Sequence, residues 1–427
     1  MIYYFFALMS FSLAIIPIRI NLLGRLLAIF SGSSSLLYGL VRDDSEAFPD
    51  LSIMSAYLSS NPFGSNAALS LSLMSFVLAL SAALTGQAEP RVAVNRRIGK
   101  GVAPAAWYGL IIVTTIAPTV EIAWVGLPMV WSYPGYGALT DYFQIEADPI
   151  SRFVVAAGRP FAFVLIGLTV MGWVNRERMR TLIAVLPLSL NFIVSFAESS
   201  RVSAVFLIFA ASCLYLANKY VISAMFIILG LFVFLGVIEA RNHTEIGIGH
   251  QFQYMFETIF NIDSYMGLFQ NLFNGTLLMD AAANTAAGNA YSTSYKILSF
   301  LPSISAIDGF SRILLTDEQR INPAIPFSAF AEAWQFGISY FLFLFLILYL
   351  AAYCVNKSIR YGRAFSFLLL GIFMLGWTQV SQYPVRNTIR FFYVIIIIYS
   401  CVSFFRSGAA NLWSMRRQPP VRRQMLR

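Results

Sequence analysis

The sequence predicts an all-α polytopic membrane protein, and three observations carry that reading. Of 427 residues, 58% are hydrophobic and 11% charged, and the mean hydropathy is +0.70. Apolar runs of about 16–25 residues, long enough to cross a bilayer core, recur along the chain. Lys and Arg alternate between successive loops rather than spreading evenly. A soluble chain carries roughly 25% charged residues, so lipid is the solvent for most of this one.

About eleven spans are expected, at 2–18, 22–41, 67–86, 102–122, 153–174, 181–196, 202–217, 219–238, 328–353, 364–380 and 390–405. The first, MIYYFFALMSFSLAIIPI, has no basic residue before Arg19 and no small-residue cleavage site after it, so it reads as an uncleaved span. Arg19, Arg25, the Arg91–Lys100 cluster, Arg176, Arg178, Arg180, Lys219, Lys357, Arg360 and Arg363 fall in alternate loops with few acids among them, chiefly Glu89 and Glu177. By the positive-inside rule the N-terminus is outside and the C-terminus cytoplasmic. The basic tail 406–427, with its RRQPPVRRQMLR end, then reads as a topology and anionic-lipid element, and no nucleic-acid partner is expected.

The chain reads as one integral membrane domain, 1–427, with long outer segments at 42–66, 123–152 and 239–327. The last is the longest, and short amphipathic helices are expected in it. Within QFQYMFETIFN, residues Phe252, Met255, Phe256, Ile259 and Phe260 share one helix face, as in a helix lying on the outer leaflet. Trp124, Trp131, Tyr133, Trp334 and Tyr383 sit where an outer aromatic belt belongs. Cys213, Cys354 and Cys401 lie in or beside apolar spans, so no structural disulfide is expected.

Several chemistries lack their residues. No G-x-x-x-x-G-K-[ST] loop occurs. His243 and His250 share an outer loop without Cys or H-E-x-x-H partners, so neither metal nor cofactor is expected. The RDDSE carboxylates at 42–46 read as a solvated acidic loop.

Four outer arginines run against the charge bias. In FAESSRV, Arg201 follows Ser199 and Ser200, good N-cap types, and opens an outward-facing helix. A cation there opposes the helix dipole unless an anion joins it. Arg386 and Arg390 repeat the pattern after Pro384, four apart on one face, and Arg241 follows the eighth span in VIEARN. They serve either as interface cations paired with Glu198, Glu239 or lipid phosphate, or as a receptor for a lipid diphosphate. Glu332, one turn into NPAIPFSAFAEAWQFG with Ser328 as its cap, is either a structural partner or a base. A lipid diphosphate is an activated leaving group, so transfer from it needs an arginine clamp and a base: Glu332, Glu198 or His243.

The AESSR turn, the IEARN arginine before the longest outer loop, the SAFAEAWQFGISYF helix start and the Arg-bearing start of the last span resemble those of Wzy-type O-antigen and repeat-unit polysaccharide polymerases, relatives of the O-antigen ligases. The resemblance implies a metal-independent glycosyltransferase of the bacterial inner membrane. It would transfer a growing glycan from undecaprenyl diphosphate onto a lipid-linked repeat unit at the outer face. It places Arg201 and Arg241 on diphosphate-handling arginines and Glu332 on the acidic residue of the post-loop helix. The partners implied are the undecaprenyl-diphosphate-linked glycan and membrane lipid, with a chain-length regulator protein left open. The absence of any His beyond His250 departs from the ligase pattern. An O-antigen ligase and a lipid-linked oligosaccharide flippase or transporter stand as alternatives.

Overall fold

The computed structural model describes residues 1–15, 22–43, 61, 64–85, 104–261, 265, 273, 275–284, 291–301, 320–322, 325–381 and 383–416. Within them the chain is almost entirely helical. Among the described residues, nine helices are long and apolar enough to cross a membrane. Two more occupy expected spans but are shorter: α1 (Ile2–Ile15), of 14 residues, and Val202–Leu216, of 15. At 1.5 Å per residue these rise only about 21–23 Å, short of a ~30 Å hydrocarbon core.

Helices α1, α2 (Leu22–Asp43) and α3 (Asn66–Thr85) form one group, joined by a Ser10–Ser31 hydroxyl contact of 3.2 Å and by Arg25, which donates to the Ala14 carbonyl at 3.1 Å. Next comes α4 (Pro104–Val125), then a segment that folds without crossing: α5 (Leu127–Trp131), β1 (Tyr133–Pro134) and α6 (Ala138–Glu146). Asp148 ends it by accepting from the amides of Ile150 and Ser151 at 2.9 and 3.1 Å, which caps α7 (Pro149–Val174). The Ser151 hydroxyl and amide hold the Asp148 carboxyl below its usual range. Helices α8 (Arg178–Ala197), α9 (Val202–Leu216) and α10 (Tyr220–Glu239) complete the middle group.

Strand β2 (Glu245–Ile246) pairs antiparallel with β1, with Tyr133 opposite Ile246, and so ties the start of the long 239–327 segment to the loop after α4. Helix α11 (Ile248–Ile259) follows and lies along α10, where Gly236 faces the Met255 side chain. Its Phe256, with Phe260 beyond it, faces away from the protein and Phe252 rests half-exposed on the Phe196 ring, while Gln251, Tyr254 and Thr258 are buried. Helices α12 (Gly275–Asn284) and α13 (Thr293–Ser299) and the ribbon of β3 (Arg320–Asn322) with β4 (Ile325–Pro326) are the other described parts of that segment. The remaining residues of the segment, Arg19, the 91–100 cluster, Gln382 and 417–427 lie outside the described residues.

The expected single span at 328–353 is two helices, α14 (Ala329–Phe336) and α15 (Ile338–Ser358). Gly337 separates them at φ 122°, a backbone conformation open to glycine and costly to side-chain-bearing residues. The bundle closes with α16 (Arg363–Val380) and α17 (Val385–Arg416). Helices α7 and α16 meet through two reciprocal contacts: the Phe367 ring fills the space a Cβ would need at Gly167, and the Phe163 ring does the same at Gly371. The largest buried apolar cluster joins α1–α3, α7, α9 and α12–α17. A smaller one lies under the non-crossing segment, built from Val125, Val130, Tyr133, Leu139, Phe143 and Tyr254 among others.

Candidate functional site

One end of the helical bundle holds a cavity of about 480 Å³ lined by α6, α7, α9, α16 and the turns beside them. Its charged lining comprises Asp141, Arg159, Glu198, Arg201 and Arg241, joined by Tyr136, Thr140, Thr378, Gln379 and Tyr383.

The 198–201 turn between α8 and α9 explains how two arginines reach one place. Helix α9 starts at Val202, one residue later than a Ser200 cap implies, with Arg201 itself in the N-cap position. Ser199, expected as a cap, is instead left-handed at φ 51°. Its hydroxyl accepts from the Gln251 side chain of α11, and its carbonyl accepts from Arg241 Nη2 at 3.0 Å. The turn is thus held from two sides by the chain that follows α10. Tyr133, expected in an aromatic belt, is buried, and its hydroxyl donates to the Ala197 carbonyl at 2.7 Å, fixing the end of α8. Burial pushes the Tyr133 phenol above its usual value.

Aromatic faces hold both guanidinium groups. Arg241 lies over the Tyr136 ring at 4.4 Å from its centroid, and Arg201 lies 6.0 Å from that of Tyr383. Such contacts stabilise a cation by about 0.5–2 kcal/mol without supplying the negative charge a carboxylate would. Burial, and then the neighbouring Arg241 charge, push the Arg201 guanidinium below its usual value. Arg241 Nε is buried with no hydrogen-bond partner in the protein. An anion between the two would answer all three observations.

Below them sits a pairing that sequence reading missed. Arg159 Nη2 lies 2.7 and 2.8 Å from the two Glu121 oxygens and 2.8 Å from Glu198 Oε1. Both carboxylates are buried. The signs were in the sequence: GRPFAF and TVEIAW each put one charge inside an apolar run, where an ionisable residue faces protein or a wet cavity.

The other sequence candidates stand off this cavity wall. Glu332 is buried in α14, where it accepts from the Tyr295 hydroxyl at 2.8 Å and from the Val385 amide at 2.6 Å. It bonds the first amide of α17 and completes that helix start, as a carboxylate at a helix N-terminus does. Arg386 and Arg390 follow it on α17; Arg390 is exposed and neither lines the cavity. His243 stacks on Tyr254 with ring centroids 4.0 Å apart, its Nε2 3.5 Å from Glu239 Oε1, and it too is absent from the lining. Of the sequence candidates, the cavity gathers Arg201, Arg241 and Glu198. No group of His, Cys, Asp and Glu suited to a metal ion occurs among the described residues.

Set against known protein families, curated proteins and solved structures, the chain matches none. The functional reading therefore rests on the chemistry of this cavity.

Proposed function

We propose that the protein is a metal-independent, lipid-diphosphate-dependent glycan polymerase of the bacterial inner membrane, with the arginine-lined cavity open to the outer side. The growing glycan is transferred from undecaprenyl diphosphate onto a lipid-linked repeat unit. The observation that carries this reading is the convergence of Arg201 and Arg241 on one cavity at the end of a membrane-crossing bundle, backed by aromatic rings. Two guanidinium groups offer bidentate, fork-shaped recognition of phosphate oxygens. They stabilise the charge that develops on the leaving diphosphate without a metal. Glu198 on the same wall is the carboxylate best placed to take the acceptor hydroxyl's proton.

The test is a gel of surface glycan from cells lacking the gene, beside cells complemented with it. Collapse of the ladder to core plus a single repeat unit supports the polymerase; an unchanged ladder sinks it. A second reading draws on Arg159, an ionised group well inside the crossing helix α7, which is a habit of transporters. Loss of every repeat, including the first, would favour that flippase reading or a ligase.

A further inference from the structure

The second inference rests on the polymerase reading and concerns the ion-pair cluster beneath the two arginines. Two carboxylates, from α4 and from the turn after α8, meet at a single nitrogen of Arg159. One guanidinium offsets the charge of one carboxylate, so the two carboxyl groups hold a single negative charge between them. Arg159 engages both oxygens of Glu121 but only Oε1 of Glu198; Glu198 Oε2 is buried with no hydrogen-bond donor. A purely structural ion pair would use both oxygens of each carboxylate, since an unsatisfied buried acceptor costs about 1–3 kcal/mol. The arrangement fixes the direction of the Glu198 carboxylate and leaves one oxygen of this cavity-lining residue without a donor.

We infer that Arg159, buttressed by Glu121, positions Glu198 as the proton acceptor of the transfer step. In that step the acceptor hydroxyl oxygen bonds to the anomeric carbon while the bond from that carbon to the diphosphate oxygen breaks. The electron pair leaves with the lipid diphosphate, held by Arg201 and Arg241, and the hydroxyl proton passes to Glu198 Oε2. Glu198 works only when ionised, so the charges around it set the acidic limit of the reaction. The groups that face it are Arg159 from α7 and Glu121 from α4, Asp141 from α6, and Arg201 and Arg241 from the turns. Tyr133 and Tyr136 approach from the β1 side, and Tyr383 lies behind Arg201.

This division of labour has a signature that a merely structural cluster lacks. Glu121→Gln keeps a neutral hydrogen-bonding side chain against Glu198 and leaves the acidic limb of the pH–rate profile near its wild-type place. Arg159→Gln removes the cation and moves that limb to higher pH. A shift of about one pH unit is expected for Arg159→Gln. Arg159→Lys keeps the charge but loses the planar guanidinium that sets Nη2 between the two carboxyl groups, so the limb stays near its wild-type place while the rate falls at least tenfold; this variant serves if Arg159→Gln does not fold.

The experiment uses full-length protein in proteoliposomes and, as substrate, the lipid-linked oligosaccharide fraction extracted from cells lacking the gene. Chain growth is followed against pH. A limb moved to higher pH in Arg159→Gln and unmoved in Glu121→Gln, or an unmoved limb with a lower rate for Arg159→Lys, supports the inference. Wild-type turnover with a limb that stays put in Arg159→Gln, or an undiminished rate in Arg159→Lys, overturns it while the polymerase reading survives. No turnover by the wild-type protein overturns the polymerase reading and this inference with it.

Discussion

Replacing Glu332 separates the two roles that a buried acid beside a helix start can have. Its carboxylate accepts from the Tyr295 hydroxyl at 2.8 Å and the Val385 amide at 2.6 Å, and no solvent reaches either bond. Glu332→Ala strands both donors in an apolar surround at about 1–3 kcal/mol each, the two costs overlapping because they belong to one network. Glu332→Gln keeps an acceptor for the amide and loses only the charge, so its loss is roughly half as large. In domains of 150–250 residues each kcal/mol moves the melting midpoint by about 2–4 °C, and less in longer chains. Thermal unfolding in detergent, read by fluorescence, should therefore rank wild type above the Gln variant and the Gln variant above Ala. Pyrophosphate affinity, measured by calorimetry on the same samples, should stay within about twofold for both. A Glu332→Gln protein with wild-type melting and no chain growth would refute this reasoning and return Glu332 to the catalytic role its position in the sequence suggested.

Three further outcomes are expected. Arg201→Gln and Arg241→Gln should each weaken pyrophosphate binding by about ten- to a hundredfold, the value of one charge-assisted contact, with Lys a partial rescue; calorimetry showing no change would remove the anion site. Tyr136→Leu should weaken it a few-fold through loss of the ring under Arg241, worth about 0.5–2 kcal/mol, and an unaffected Kd would show that the ring only fills space. Gly371→Ala should destabilise the protein by about 1–3 kcal/mol, because its methyl group occupies the place of the Phe163 ring; a melting midpoint at the wild-type value would show that α7 and α16 adjust freely.

The crossing helices were legible because lipid leaves the chain few choices: an apolar run of sufficient length in a bilayer must bond its own backbone. The Gly337 break was not, since the residues around it stay apolar and only the backbone angle interrupts the helix. Of the four arginines singled out, Arg201 and Arg241 were recognised by type and position, but their shared cavity depends on the left-handed Ser199 turn and on Gln251, contacts between residues 52 positions apart. Arg386 and Arg390 carried the same sequence pattern as Arg201 yet stand off the cavity, because a helix start shows which residues precede it and not which way they turn. Arg159 and Glu121 were overlooked inside otherwise apolar runs, although a lone charge in such a run announces its partner's existence without naming it.

The two rings seated in glycine notches between α7 and α16 also set what kind of machine this is. A helix sliding by one turn past its neighbour would have to lift Phe163 and Phe367 out together, so these two helices act as one beam. Arg159 rides on one side of that beam and Gln379 on the other, and the width between them is fixed at assembly rather than adjusted in use. On the polymerase reading proposed above, differences in the size of the sugars are then absorbed by the rim, the non-crossing stretch from α5 to α6. On that same proposal, exchanging the rim between chains of this architecture is the route to a new substrate with the floor left untouched.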